Sequence, residues 1–256
     1  MNPAQRLLEL VDFFSSQGRD KSTHEVWSRY IGPEGIIASE DDVLGFIQAA
    51  LFEIRTMESQ LKGVGVPEHL FSNCSGRLRE VFSSRYLATN WNQQHASNIQ
   101  NASVRVILQW ASWTLGQFNE NPIDPEAWSA LLQALEAHEK VLNGTAGIPT
   151  GIRAMLERQI TELRQAMAMY KLQGVAPIQT AVNHAVGELR TASSELVSEL
   201  ESSPKPVKSL FQKGKELVGQ AAELSDKGSK VAKFGREIYE LGSTAWTFGT
   251  QYLGQS

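Results

Sequence analysis

A chain of 256 residues with 41% apolar and 20% charged residues carries enough apolar surface for a core and is not disordered as a whole. Its net charge of -4 sets up no global field toward nucleic acid, so nucleic acid is not an expected partner. A single cysteine, Cys74, excludes an internal disulfide and fits a reducing compartment.

Strand signals are nearly absent, and apolar residues recur at helical spacing. The opening Met1-Asn2-Pro3-Ala4-Gln5-Arg6 runs into an amphipathic pattern broken by Glu9 and Asp12, unlike a signal peptide. Leu7, Leu8, Leu10, Val11, Phe13 and Phe14 form the apolar face of a first helix that Gly18 ends. Ser22 and Glu25 make a capping box ahead of Val26, Trp27 and Tyr30. Gly32-Pro33-Glu34-Gly35 is a breaker. Ser39 with Glu40, Asp41 and Asp42 starts the next helix, because acids favour the positive end of the helix dipole. That helix carries Val43 to Leu61 and stops at Gly63-Val64-Gly65; its Glu53, Arg55 and Glu58 read as a solvated face or a surface ion pair.

Pro67 is expected to open a helix through Leu70, Phe71, Cys74, Leu78, Val81, Phe82 and Tyr86. Cys74 reads as a small buried hydrophobe. An Asn- and Gln-rich connector from Asn90 to Asn101 precedes a buried helix with Val104, Ile107, Leu108, Ala111, Leu115 and Phe118, with Trp110 and Trp113 on the neighbouring face. The charge-free stretch from Val106 to Asn119 is too short and too polar to cross a bilayer, which needs about 20 apolar residues. Asp124-Pro125-Glu126 opens a helix that Asn143-Gly144 closes. Another runs from about Thr150 to Leu172, and Pro177 starts one through Leu200, with Gly187 as a packing contact. Ser202-Ser203-Pro204-Lys205-Pro206 reads as a hinge, since each proline lacks an N–H and restricts its predecessor.

Beyond the hinge a register appears. Gly214, Ala221, Gly228, Gly235, Gly242 and Gly249 stand seven apart, and Leu217, Leu224, Val231, Ile238, Ala245 and Tyr252 follow each by three. Val207 and Leu210 extend the register backward. This is a heptad with a small residue at one seam position and a mostly apolar one at the other, as in a coiled coil. Each glycine costs a helix about 1 kcal/mol relative to alanine, so a close helix neighbour is needed to offset the stripe through dispersion contacts.

Two further features mark this segment. From Pro204 to Arg236, Lys205, Lys208, Lys213, Lys215, Lys227, Lys230, Lys233 and Arg236 stand as eight basic residues against Glu216, Glu223 and Asp226. Phe234, Leu241, Trp246, Phe248 and Tyr252 then spread apolar surface around its end, and no charge follows Glu240. Such an end is expected to be buried in the body itself, in another copy or a different protein, or at a lipid interface. Basic residues ahead of it suit anionic headgroups.

The fold class these patterns define is all-α: a multi-helix bundle over 1–200, a Ser/Pro hinge at 201–206 and a long basic amphipathic helix over 207–256. The function they suggest is non-enzymatic helix-to-helix interaction or homo-oligomerisation through the C-terminal helix. A membrane-active helical effector, surface-binding or pore-forming, is the alternative, and a helical nuclease using Arg85 and His95 the second. Arg77, Arg79 and Arg85 beside Tyr86 and Trp91 form only a small basic-aromatic patch, with few phosphate contacts on offer. No catalytic, cofactor or metal motif is found: His24, His69, His95, His138 and His184 are scattered, and Gly144-Thr145-Ala146-Gly147 lacks the lysine of a phosphate loop. The expected location is cytoplasmic, with peripheral membrane attachment as the variant of the lipid reading.

Overall fold

In a computed structural model, residues 1–17, 21–32, 38–91, 96–192 and 194–228 are described. All their regular structure is helical, apart from one antiparallel bridge between Ser22 and Asn90. The ten longer helices are α1 Pro3–Ser15, α2 Thr23–Ile31, α3 Glu40–Gly63, α4 Ser72–Val81, α5 Ala102–Thr114, α6 Pro125–Gly144, α7 Thr150–Gln173, α8 Ala176–Arg190, α9 Ser194–Ser202 and α10 Lys205–Gly228. Short 3-10 turns and one helical turn, Ala96–Ile99, complete the set. The breaker around Pro33, Gly18, and every residue from Ser229 onward lie outside the described residues.

The chain divides into two compact units, one of Met1–Asn119 with Lys171–Gly174, the other of Glu120–Tyr170 with the chain from Val175 onward. The division therefore falls at Asn119, not at the Ser/Pro stretch expected to separate a single 1–200 body from the terminal helix.

In the first unit, capping sets the helix starts. The Ser22 hydroxyl and the Glu25 carboxylate satisfy each other's backbone N–H groups at the head of α2, and Ser39 caps α3 ahead of its three acids. An aromatic cluster fills the core: Phe14 stands between Trp27 (4.7 Å), Trp91 (4.9 Å) and Phe82 (5.9 Å). Trp91 lies in the polar connector, and its N–H donates to the Lys21 carbonyl.

Several expectations fail in this unit: Phe118, expected in the buried helix, is exposed in a 3-10 turn, and the helix expected through Tyr86 stops at Val81. Pro67 opens only the 3-10 turn Glu68–Leu70, so Leu70 faces solvent rather than the core. Glu53 is not on a solvated face: it is 1% exposed and takes Arg6 Nε at 2.6 Å, itself a buried guanidinium. Glu58 does pair at the surface, with Arg79. Cys74 is buried, its thiol pushed up to about 12 by burial. On α5, Val104, Leu108 and Ala111 turn inward, whereas Val106, Trp110 and Trp113 are exposed.

In the second unit, the helix expected from Pro177 to Leu200 breaks in two. The Thr191 N–H and hydroxyl both donate to the Gly187 carbonyl, at 3.0 and 2.9 Å, closing α8. A run of Thr and Ser offers the backbone such local bonds in competition with helix. α10 packs on both α6 and α8. Its apolar residues join those of α6 to α9 in one continuous core cluster.

Candidate functional site: the seat of the C-terminal helix

The Ser202–Pro206 stretch forms a tight corner. Ser203 is 8% exposed and its hydroxyl donates to the Glu199 carbonyl at 2.6 Å. The Pro204 carbonyl accepts from Val207 and Lys208, which starts α10 at once. Pro206 falls in the first turn, where a missing N–H is not needed.

From that corner α10 runs 24 residues, about 36 Å at 1.5 Å per residue. Its seam is buried: Val207 and Leu210 at 1%, Leu217 at 4%, Ala221 at 0% and Leu224 at 5% exposure. Gly214 shows why the stripe is small. A Cβ built there meets Leu156 Cδ2 of α7 at 2.9 Å and His138 Nε2 of α6 at 3.3 Å. Real Cβ atoms essentially never come as close as the first of these, so the glycine marks a close approach between helices. Gly187 behaves oppositely: a Cβ there meets nothing within 4 Å, so it is not the packing contact expected of it.

The buried face is wider than the two seam positions. Phe211, Val218, Ala222 and Ser225 are buried as well. They stand four residues after Val207, Gly214, Val218 and Ala221, and that spacing was readable in the sequence. Three buried positions per seven residues is the stripe of a core helix, whereas a two-stranded coiled coil buries two. Outside the stripe, Lys205, Lys208 and Lys213 are exposed and Lys215 is half-buried.

Gly228 is the last residue of α10. The remaining seam residues Val231, Gly235, Ile238, Gly242 and Gly249 lie outside the described residues. So do the apolar Phe234, Leu241, Trp246, Phe248 and Tyr252, the basic Lys230, Lys233 and Arg236, and the side chain of Lys227.

Beneath the Gly214 notch sits His138, which sequence reasoning passed over. It is 5% exposed, and neither ring nitrogen has a hydrogen-bond partner. Burial, and then the charge of Lys213, holds its pKa below the ordinary 6.5. A second histidine, His184 on α8, is exposed and contacts Glu162 of α7 through Nδ1 at 2.6 Å. That hydrogen bond raises its pKa.

Three of the residues weighed for nucleic acid are engaged in other contacts. Arg77 donates to Asn73 and Asn98, Arg79 pairs with Glu58, and Trp91 is in the aromatic core. Arg85 is exposed in a 3-10 turn, and His95 lies outside the described residues. Among the described residues no group of three His, Cys, Asp or Glu could hold a metal ion, and no helix is long and apolar enough to cross a membrane.

Fold and site together define an all-helical bundle protein in which α10, the last described helix, is built into the core of the second unit. Comparison with protein-family models, with curated proteins and with solved structures gives no match for this chain.

Proposed function

We propose that the protein is a non-enzymatic helical interaction protein, and that residues beyond Gly228 are the contact element, pairing with the same segment of a second copy. One observation carries this reading. In α10 the small-apolar register is a working helix-packing face, with Gly214 admitting neighbours at close range and Ala221 fully buried. The same register continues in the sequence through Gly235, Gly242 and Gly249. A glycine ridge is self-complementary, so two copies related by a two-fold axis can bring identical ridges together. Each glycine opposes helix formation by about 1 kcal/mol, and close packing offsets that cost.

The test removes the segment and leaves the seat intact. Truncation after Gly228 keeps all of α10, whereas truncation at Ser203 strips the second unit of part of its core. The full chain is expected to be dimeric or larger by light scattering, and the 1–228 chain monomeric with unchanged helicity. Equal monomeric masses for the two chains refute the reading.

A lipid reading has its own support: Lys205, Lys208 and Lys213 are exposed on α10 ahead of the apolar end of the sequence. Lysines in that position attract anionic headgroups by roughly 1 kcal/mol each. Flotation with vesicles containing phosphatidylserine separates the two readings. Binding that needs residues 229–256 favours lipid, and its absence leaves the second copy as the partner.

A further inference from the structure

We propose that protonation of His138 unseats α10 from α6 and α7, so that mild acid releases the C-terminal helix from its own bundle. The inference rests on the seat of α10 alone and holds whatever residues 229–256 contact.

The geometry is that of a buried ring with no place for a charge. His138 lies on the α10-facing side of α6, with its Nε2 3.3 Å from where a Cβ on Gly214 would stand. Both nitrogens lack partners, so no acceptor waits for a second N–H. The groups around the ring repel or ignore a cation. From α7 comes Leu156, which shares the Gly214 notch. From α10 comes Lys213, the charged neighbour whose field acts on the ring. Other nearby charges are committed elsewhere. Glu139, next in sequence, meets Arg164 of α7 at 2.5 Å. Arg153 of α7 donates to the Leu142 and Thr145 carbonyls and pairs with Glu157. An imidazolium at 138 is therefore a buried cation with a lysine beside it, and undocking α10 returns it to water while removing Lys213.

The sign follows from proton linkage. The docked state binds the proton more weakly than the undocked one, whose histidine titrates near 6.5. Above that pH the docked helix carries no penalty. Below it, stability of the seat is lost until the docked ring itself titrates. In that window the undocking constant rises as pH falls, by at most about tenfold per unit for the one proton involved.

Native-state hydrogen exchange on the full chain, corrected for intrinsic rates between pH 5 and 7.5, reads this directly. The expected result is an opening constant for α10 amides that climbs as pH falls below about 6.5, by at most about tenfold per unit, with α8 amides lagging. His138→Gln flattens the climb. His138→Met, an apolar replacement of similar size, flattens it too and guards against a packing defect in the first variant. A flat wild-type profile overturns the proposal. So does an unchanged slope in either variant, or α8 and α10 opening together, which is melting of the whole unit.

Discussion

The close approach at Gly214 makes one substitution behave in opposite ways at two places in the same unit. Replacing a helical glycine with alanine gains about 1 kcal/mol of helix propensity. At Gly187, inside α8, a Cβ meets nothing within 4 Å, so Gly187→Ala is expected to stabilise the second unit by about that full amount. At Gly214 the new methyl meets Leu156 Cδ2 at 2.9 Å and the His138 ring at 3.3 Å. Leu156 is only 2% exposed and sits among packed core residues, so its methyl has little room to retreat. Overpacking of this kind costs about 1–3 kcal/mol, which cancels the propensity gain or exceeds it. The two variants should therefore differ by about 1–3 kcal/mol, or roughly 5- to 150-fold when each is read in the opening constant of its own helix's amides. Native-state hydrogen exchange isolates the local opening, where a whole-chain melt of two units is not two-state. If Gly214→Ala stabilises as much as Gly187→Ala, the seam is not a close contact and the account of the glycine stripe fails.

Two further predictions follow from buried and paired charges. Arg6→Met leaves the Glu53 carboxylate in the first unit's core without its guanidinium partner, and should cost about 3–5 kcal/mol, read from native-state hydrogen exchange of first-unit amides. The Arg6→Met, Glu53→Met double variant should recover most of that loss; equal destabilisation of single and double variants contradicts the pairing. By NMR titration His184 should titrate above 6.5 and His138 below it. The His184 contribution is fully present below pH 6.5 and fades as pH rises through its raised pKa, opposite in sign to that of His138. Glu162→Gln should bring His184 back toward 6.5, and an unmoved midpoint rules out the hydrogen bond as the cause.

The helical class and most helix starts were legible because caps and 3.6-residue periodicity are local. Ser22 with Glu25, Ser39 with its acids, and Asp124-Pro125 all open helices where the sequence places them. Where the reading failed, the deciding partner is far away in sequence. Glu53 is in the core because Arg6, on a different helix, is there to meet it. Leu70 faces solvent because Pro67 yields one 3-10 turn before α4 begins at Ser72. His138 gave no signal at all: its burial depends on α7 and α10 converging over one ring. The seam of α10 lies between these cases. Its two positions were visible as a period, yet the flanking Phe211, Val218 and Ala222, which distinguish a core helix from a coiled coil, were not weighed.

That distinction changes what the glycine register demands. A helix with three buried positions in seven already has its neighbours: α10 packs on α6 and α8, and its Gly214 lies close to Leu156 of α7 and His138 of α6. The stripe up to residue 228 therefore needs no second molecule to offset the helix-breaking cost of its glycine. The argument for a partner passes to the residues after it. Gly235, Gly242 and Gly249 repeat the spacing, with Trp246 and Phe248 added, and these three glycines would cost about 3 kcal/mol in a helix. On the proposed function, one period joins a stretch packed on the protein itself to a stretch that pairs with a second copy. Acid titration of His138 acts at the start of that run, where loosening the seat frees a face whose shape is already suited to another helix.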